Sequence, residues 1–417
     1  MTGLAVVGIQ HLLETTGSLV ESIIGLGVRA EDIYLGGKLY STCEPVAARL
    51  RSIGVHVQDP PAVPHWGGFS AQLDAMAEML WHRFLASGRN GLRGVVVLDD
   101  GGFALKAAGR VGRLPLARIA GVEQTTSGIN SLSECPPAFP VVDVATSAAK
   151  TLLESPLIER AVLRRIGQLD LGNGHRRVWG IAGMGNIGKA LAAALLARGE
   201  AVCAFDPGLS AEFPSGVAKC LSLKDLFEQA DIVLGCSGED LLLGSTWWQE
   251  CPGEKVLASC SSHDVEFRTI LSAFGRGQKA QLTDPLSTVT VPTKRGRLRL
   301  LRGGCPVNFD GSGESVPAGE IQLTRGLLLG GVLQAAEQLK GAHPGGYRRW
   351  MLSAELQSFV AREWRKAQAA AGAPDPGFVD LFGDEGRIIA SSGGQGPTVA
   401  PLGRWIPDAQ FPPARSE

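Results

Sequence analysis

Arg177-Val-Trp-Gly-Ile-Ala-Gly183-Met-Gly185-Asn-Ile-Gly188-Lys-Ala begins as an apolar run, passes three spaced glycines and enters an Ala/Leu-rich stretch ending near Arg198. A second apolar run, 201–205, closes on Asp206. That order predicts strand, tight turn, helix, strand and carboxylate, the arrangement of a dinucleotide-binding unit. Gly183 supplies the turn, Gly185 lets the backbone approach a pyrophosphate, and Gly188 lets helix and strand pack closely. The helix start, with Asn186 and Ile187 in the loop, presents free N–H groups and a partial positive charge to the phosphates. Asp206 stands 18 residues after Gly188, near the usual ~20, and favours NAD over NADP because a carboxylate accepts from a free ribose hydroxyl.

Outward from this stretch, the 417 residues are enough for two cores and a tail. The net charge of −1 comes from mixed charges, which points away from nucleic acid and anionic membranes as main partners. Eight scattered cysteines without CxxC spacing predict reduced thiols and no metal site. The N-terminus has no basic leader pattern, and no apolar run approaches ~18 residues, so a cytoplasmic protein is expected.

Residues 1–150 alternate strand-like and helical patterns. Strands are expected at 4–9, 33–39, 55–58 and 94–98, with helices at 11–26, 44–53, 70–86 and 103–112. After a long helix at 148–169, strands follow at 178–182, 201–205, 231–234 and 255–259, then an antiparallel pair at 288–291 and 297–301. Residues 319–340 and 347–371 read as helices, and from Gly372 the chain becomes rich in Pro, Gly and Ser. The expected class is α/β, with two doubly wound parallel-sheet domains. A substrate domain is expected at 1–150 plus 315–371, a Rossmann NAD-binding domain at 151–314, and an extended tail at 372–417.

Upstream of the glycine loop stand Leu98-Asp-Asp100-Gly-Gly, Gly121-Val-Glu-Gln124-Thr125-Thr126-Ser127-Gly128 and Pro140-Val-Val-Asp-Val-Ala-Thr-Ser147-Ala-Ala-Lys150. In that order before a GxGxxGK turn, they resemble the S-adenosylhomocysteine hydrolase family, from about His11 to Lys340. Looser matches are His11 after the first strand, Leu39-Tyr-Ser-Thr42, His263-Asp-Val-Glu266 and Val307-Asn308. The family's N-terminal helices would be missing here.

The resemblance implies a bound NAD that is not consumed. It oxidises the 3′-hydroxyl of an adenine nucleoside, a group leaves from the 5′ carbon, and the ketone is reduced again. A sugar C–H is too weak an acid for a side chain to remove, but beside a ketone it yields an enolate. On this resemblance Lys150 and Glu154 act at the sugar hydroxyl, Asp100 is the acid/base, and His11 or His263 serves the leaving group. Thr125, Thr126, Ser127 and Asn308 would hold the nicotinamide end, joined by Ser155 and Ser262 where the family has asparagine and histidine. Substrate contacts would come from His11, Leu13, Thr42, Asp100, Gln124, Lys150 and Glu154. The family also implies a homo-oligomer, a dimer or tetramer.

Beyond Ser155 and Ser262, the departures gather at one end. The family's glutamate is Gln124, its threonine is Leu13, and its Gly-His-Pro segment is Asp310-Gly-Ser-Gly-Glu314-Ser. Its C-terminal Lys and Tyr have no counterpart. The NAD and oxidation parts are thus better kept than those around the amino-acid end of the substrate. The leading expectation is a nucleoside dehydratase that expels water to leave a 4′,5′-alkene of the angustmycin type, an antibiotic-pathway chemistry. The alternatives are a homocysteine-releasing hydrolase and a non-catalytic NAD-binding regulator.

Overall fold

The computed structural model describes residues 1–60, 69–88, 91–111, 118–168, 177–208, 212–261, 264–277, 284, 286–341 and 346–371. The predicted tail at 372–417 and the Ser262/His263 turn lie outside the described residues. In chain order the first half runs β1 (Leu4–Leu12), α1 (Glu14–Gly25), β2 (Ile33–Thr42), α2 (Glu44–Ser52), β3 (His56–Gln58), α3 (Phe69–Ala86), β4 (Gly94–Asp99), α4 (Phe103–Arg110), β5 (Ile119–Glu123), α5 (Thr126–Glu134) and β6 (Val141–Asp143). It continues through α6 (Ala148–Leu153), α7 (Ser155–Gly167), β7 (Val178–Ala182), α8 (Asn186–Ala197), β8 (Ala201–Phe205), β9 (Ala218–Lys219), α9 (Leu223–Gln229) and β10 (Ile232–Gly235). The remainder is β11 (Pro252–Ser259), α10 (Arg268–Gly277), β12 (Val289–Pro292), β13 (Arg295–Leu300), α11 (Ala318–Gln338), β14 (Arg349–Met351) and α12 (Ala354–Ala370).

The chain is α/β, with two sheets of the same winding. The first has the order β14-β6-β5-β4-β1-β2-β3, all parallel, and the second β12-β13-β11-β10-β7-β8-β9, parallel except for β12 against β13. In each sheet the order reverses beside the first strand, between β1 and β4 and between β7 and β10. Ligands of such sheets bind outside the carboxyl ends of the strands at that reversal.

The first sheet is buried on both faces. Leu4, Val6 and Leu12 pack into one apolar cluster with α1 and α11, while Ala5, Val7 and Ile9 pack into another with α3 and α4. This explains why the strands read as continuous apolar runs rather than alternating ones. The second sheet is flanked by Val162, Ile181 and Leu191 on one side and Phe227, Leu257 and Phe267 on the other. Among the described residues no helix is long and apolar enough to cross a membrane.

Three element readings are corrected. His11 lies inside β1 rather than opening a helix, which begins only at Glu14. The long helix read at 148–169 is two, because Pro156 has no N–H to continue the ladder and the chain restarts as α7. The helix read from 347 is the edge strand β14 followed by α12, whose first turn Ser353 caps.

Candidate functional site

Two groups of residues form at the two strand-order reversals. On the second sheet the loop after β7 behaves as its glycines predict. Gly183 has φ +105°, and a Cβ there would lie 2.7 Å from the Cys236 carbonyl carbon. At Gly188 a Cβ would lie 2.0 Å from the Gly183 carbonyl oxygen, whereas at Gly185 it would meet nothing within 4 Å. Gly185 therefore borders open space above the start of α8, and no side chain caps that helix. A pyrophosphate fits there on free N–H groups, with Asn186 and Ile187 opening the helix. Asp206 directly follows β8 and accepts from the Gly208 N–H at 2.7 Å and the Met184 N–H at 2.6 Å, which ties the acid to the glycine loop.

On the first sheet the site grows from an irregularity. Gln10 pairs with Gly37, yet Leu12 pairs with Thr42, so residues 38–41 of β2 bulge opposite His11. Thr42 Oγ1 closes the bulge by donating to the Lys38 carbonyl at 2.8 Å. Bulges re-aim side chains beside functional sites, and this one sends Lys38 and Ser41 inward. Lys38, fully buried, places its ammonium 2.5 Å from Asp100 Oδ1. His11 Nε2 lies 2.9 Å from Asp100 Oδ2, and Gln124 donates to the same oxygen. On its other side, His11 Nδ1 lies 2.5 Å from Ser41 Oγ. The imidazole stacks on Phe309, with ring centres 4.6 Å apart.

Burial works to raise the Asp100 carboxyl, but Lys38 and then His11 outweigh it and hold the group well below the usual carboxylate range. His11 is lowered, chiefly by burial, against the attraction of Asp100. Two further buried acids flank this centre. Glu123 accepts from the N–H groups of Gly101, Gly102 and Thr125 at 3.0, 2.9 and 2.8 Å and from the Thr125 hydroxyl at 2.7 Å. Burial, with Asp99 and Asp100 close by, still pushes it up to about 8. Burial likewise lifts Asp99 to about 6, although it accepts from the N–H groups of Ile9 and Leu105.

Lys150 and Glu154 pair one turn apart across the end of α6, and Thr324 of α11 anchors the carboxylate at 2.8 Å. Arg325, the next residue of α11, is buried and donates to Thr15 Oγ1 at 3.1 Å. Burial lowers Arg325, against the attraction of Glu314, Glu154 and Asp100, and its charge works to lower His11.

Of the predicted residues, the structure thus brings together His11, Asp100 and Gln124, and separately Lys150 and Glu154. Leu13 and Thr42 line a pocket with Tyr40, Ser41 and Phe309. Thr125 caps α5 by accepting from Gly128, Thr126 is exposed, and Ser127 donates to Thr125 at 3.4 Å. Ser155 opens α7, and Asn308 is buried beside the Val307–Ser259 contact at the end of β11. Sequence reading missed Lys38, Ser41 and Arg325. A signal existed for Lys38, a single lysine inside the apolar run Ile33-Tyr-Leu-Gly-Gly-Lys-Leu-Tyr40.

Residues 165–237 match the D-isomer specific 2-hydroxyacid dehydrogenase NAD-binding domain, so the second sheet's unit is a Rossmann NAD-binding domain. Two Mycobacterium tuberculosis proteins, Rv0104 of strain H37Rv and MT0113 of strain CDC 1551, are each 31% identical over 354 residues, 82% of this chain and 67% of theirs. Among solved structures, the NAD complex of a D-isomer specific 2-hydroxyacid dehydrogenase from Lactobacillus delbrueckii ssp. bulgaricus aligns at 12% identity and TM-score 0.36, covering 82% of this chain and 99% of that one. D-lactate dehydrogenase with NAD+ from Lactobacillus jensenii aligns at 14% identity and TM-score 0.34, covering 82% and 100%.

Proposed function

The chain belongs to one family with the mycobacterial proteins Rv0104 and MT0113, and we propose that it is an NAD-dependent, redox-neutral enzyme acting on the sugar of an adenine nucleoside. The observation that carries this reading is the buried Asp100 carboxylate, held by His11, Lys38 and Gln124 at the reversal point of the first sheet, in a chain whose second sheet bears an NAD loop. NAD, when bound, supplies an acceptor that converts a sugar alcohol into a ketone. The Gly183–Gly188 loop and Asp206 would hold it, with Thr125, Thr126, Ser127, Ser155, Ser262 and Asn308 proposed toward its nicotinamide end.

The residues of the first sheet then handle protons. Lys150 is assigned to the sugar hydroxyl. Glu154, anchored by Thr324, orients its amine, and the proton released there passes into this pair. Asp100 has its oxygens occupied by cationic or N–H donors, so it serves as a fixed anion that orients His11. The His11–Asp100 pair is assigned the uptake of the 4′ proton from the oxidised sugar and its return to the departing 5′ oxygen, with His263 a second candidate for the return. We favour water as the leaving group, giving a 4′,5′-unsaturated nucleoside. The domain organisation proposed is 1–150 plus 315–371 for the substrate and 151–314 for NAD, in a homo-oligomer. It is supported by α11, which packs on β4, β5 and β6 of the first sheet.

Mass spectrometry of products from a panel of adenine nucleosides tests this, and loss of the elements of water is expected. Sustained thiol release from S-adenosylhomocysteine would instead make it a homocysteine-releasing hydrolase. The match over residues 165–237 favours a second reading, a net dehydrogenase of a 2-hydroxy acid. Reduced dinucleotide would then accumulate in solution rather than being reoxidised within the turnover.

A further inference from the structure

We infer that Ser41 is a catalytic proton carrier, the hydroxyl through which the His11–Asp100 pair exchanges a proton with the substrate; this rests on the sugar chemistry proposed above. The pocket is lined by Leu13, Tyr40, Ser41, Thr42, Phe309 and Asp310, among others, and neither His11 nor Asp100 is in its wall. His11 has no ring nitrogen to offer a ligand directly. Nε2 is engaged by Asp100 at 2.9 Å, Nδ1 by Ser41 at 2.5 Å, and one ring face is covered by Phe309. Ser41 holds the imidazole and is itself among the residues that line this small cleft, so its hydroxyl is the group we place between His11 and the substrate.

The tautomer follows from the partners. An ionised carboxylate only accepts, so Nε2 carries the proton, Nδ1 is left with its lone pair, and the Ser41 O–H donates to it. When Ser41 Oγ accepts the 4′ proton made acidic by the neighbouring ketone, its own proton passes to Nδ1. The product is an imidazolium beside the Asp100 carboxylate, with charge conserved. Return along the same path delivers the proton to a departing oxygen and restores the resting tautomer. Asp100 stabilises the imidazolium that forms, while Lys38 keeps Asp100 from taking the proton. The β2 bulge makes this possible, since regular pairing beyond Gln10–Gly37 would place Ser41 elsewhere.

The array of serine, imidazole and carboxylate also resembles that of acyl-transfer enzymes, in which the serine bonds covalently to substrate. The experiment therefore has three arms on the full-length, NAD-loaded protein. In Ser41→Ala, product formation from the nucleoside processed by the wild type is expected to fall about 100-fold in kcat with little change in KM, and Ser41→Thr is expected to restore most of it. In 15N-histidine NMR without substrate, the His11 Nδ1 resonance is expected to move in Ser41→Ala, through loss of its O–H donor, and to return in Ser41→Thr. A fluorophosphonate probe is expected to leave Ser41 unlabelled. Wild-type turnover in Ser41→Ala, an unmoved Nδ1 resonance, or an adduct on Ser41 each overturns the carrier role. Failure of the sugar reading is distinguishable, because the wild type would then process no nucleoside before any substitution is made.

Discussion

Lys38 has no solvent contact, and its Nζ sits 2.5 Å from Asp100 Oδ1. A buried ion pair is weak evidence for stability, but removing one partner leaves the other charge uncompensated, at about 3–5 kcal/mol. Lys38→Met is therefore expected to destabilise the fold by about that amount near neutral pH. The two variants' denaturation curves should converge in acid, where Asp100 takes up a proton and no longer needs its partner. The same substitution changes His11. Lys38 lowers the imidazole and Asp100 raises it, so loss of the ammonium is expected to move the His11 titration to higher pH, readable by NMR. An unmoved His11 titration would show that Lys38 fills space rather than setting charge. At this scale the sequence revealed the groups that stand in motifs, Asp100 and Gln124, but not the lysine that balances the carboxylate's charge. Lys38 reaches Asp100 across 62 residues, and nothing local to either encodes the meeting.

What was legible among the elements follows from how locally each is determined. The strand, glycine loop and helix from β7 to α8 form within one continuous stretch, Val178 to Ala197, and Gly183, Gly185 and Gly188 act as read. The bulge of β2 was not legible, because it exists only in the register of β2 against β1, which pattern within one strand cannot report. The break between α6 and α7 was legible in principle, since Pro156 stood in the run read as continuous helix. The loop also yields a contrast between two neighbouring glycines. A methyl at Gly185 enters open space, so Gly185→Ala is expected to keep thermal stability close to wild type while lowering NAD content, because it intrudes where a pyrophosphate would pass. A methyl at Gly188 runs 2.0 Å from the Gly183 carbonyl oxygen, so Gly188→Ala is expected to lose both NAD and several degrees of melting temperature. Dinucleotide content of the purified variants and their melting curves check the pair. Equal loss of stability in both would mean that Gly185 serves the turn rather than the ligand.

On the scale of the molecule, the first sheet gathers Asp99, Asp100 and Glu123, all fully buried, within one cluster at the carboxyl ends of β4 and β5. Asp100 is balanced by the Lys38 ammonium and hydrogen-bonded by His11, while the other two bear the cost of burial beside it. Glu123 is pushed up to about 8 from 4.5, and Asp99 to about 6 from 3.8. For an acid whose folded pKa lies above its unfolded value, the folded state binds more protons across the window between them. Its contribution is then greatest below the unfolded pKa and is lost as pH rises through the folded one. For Glu123 that window runs from 4.5 to about 8, and stability should decline across it by at most ~1.4 kcal/mol per pH unit from this group. Asp99 adds to the decline between 3.8 and about 6. His11 acts oppositely. Lowered below 6.5 in the fold, it costs stability as pH falls through that value, because the unfolded chain takes up the proton more readily. The two trends leave a maximum on the acid side of neutrality rather than near pH 8. Glu123→Gln, which carries a neutral group at all pH values, should flatten the decline above pH 6 while leaving the acid limb set by His11 and Asp100. Urea midpoints measured from pH 5 to 9 for both proteins would decide it. Parallel curves would mean that the four donors on Glu123 keep it ionised against its buried neighbours, and the cluster would then carry two negative charges toward the sugar site rather than one.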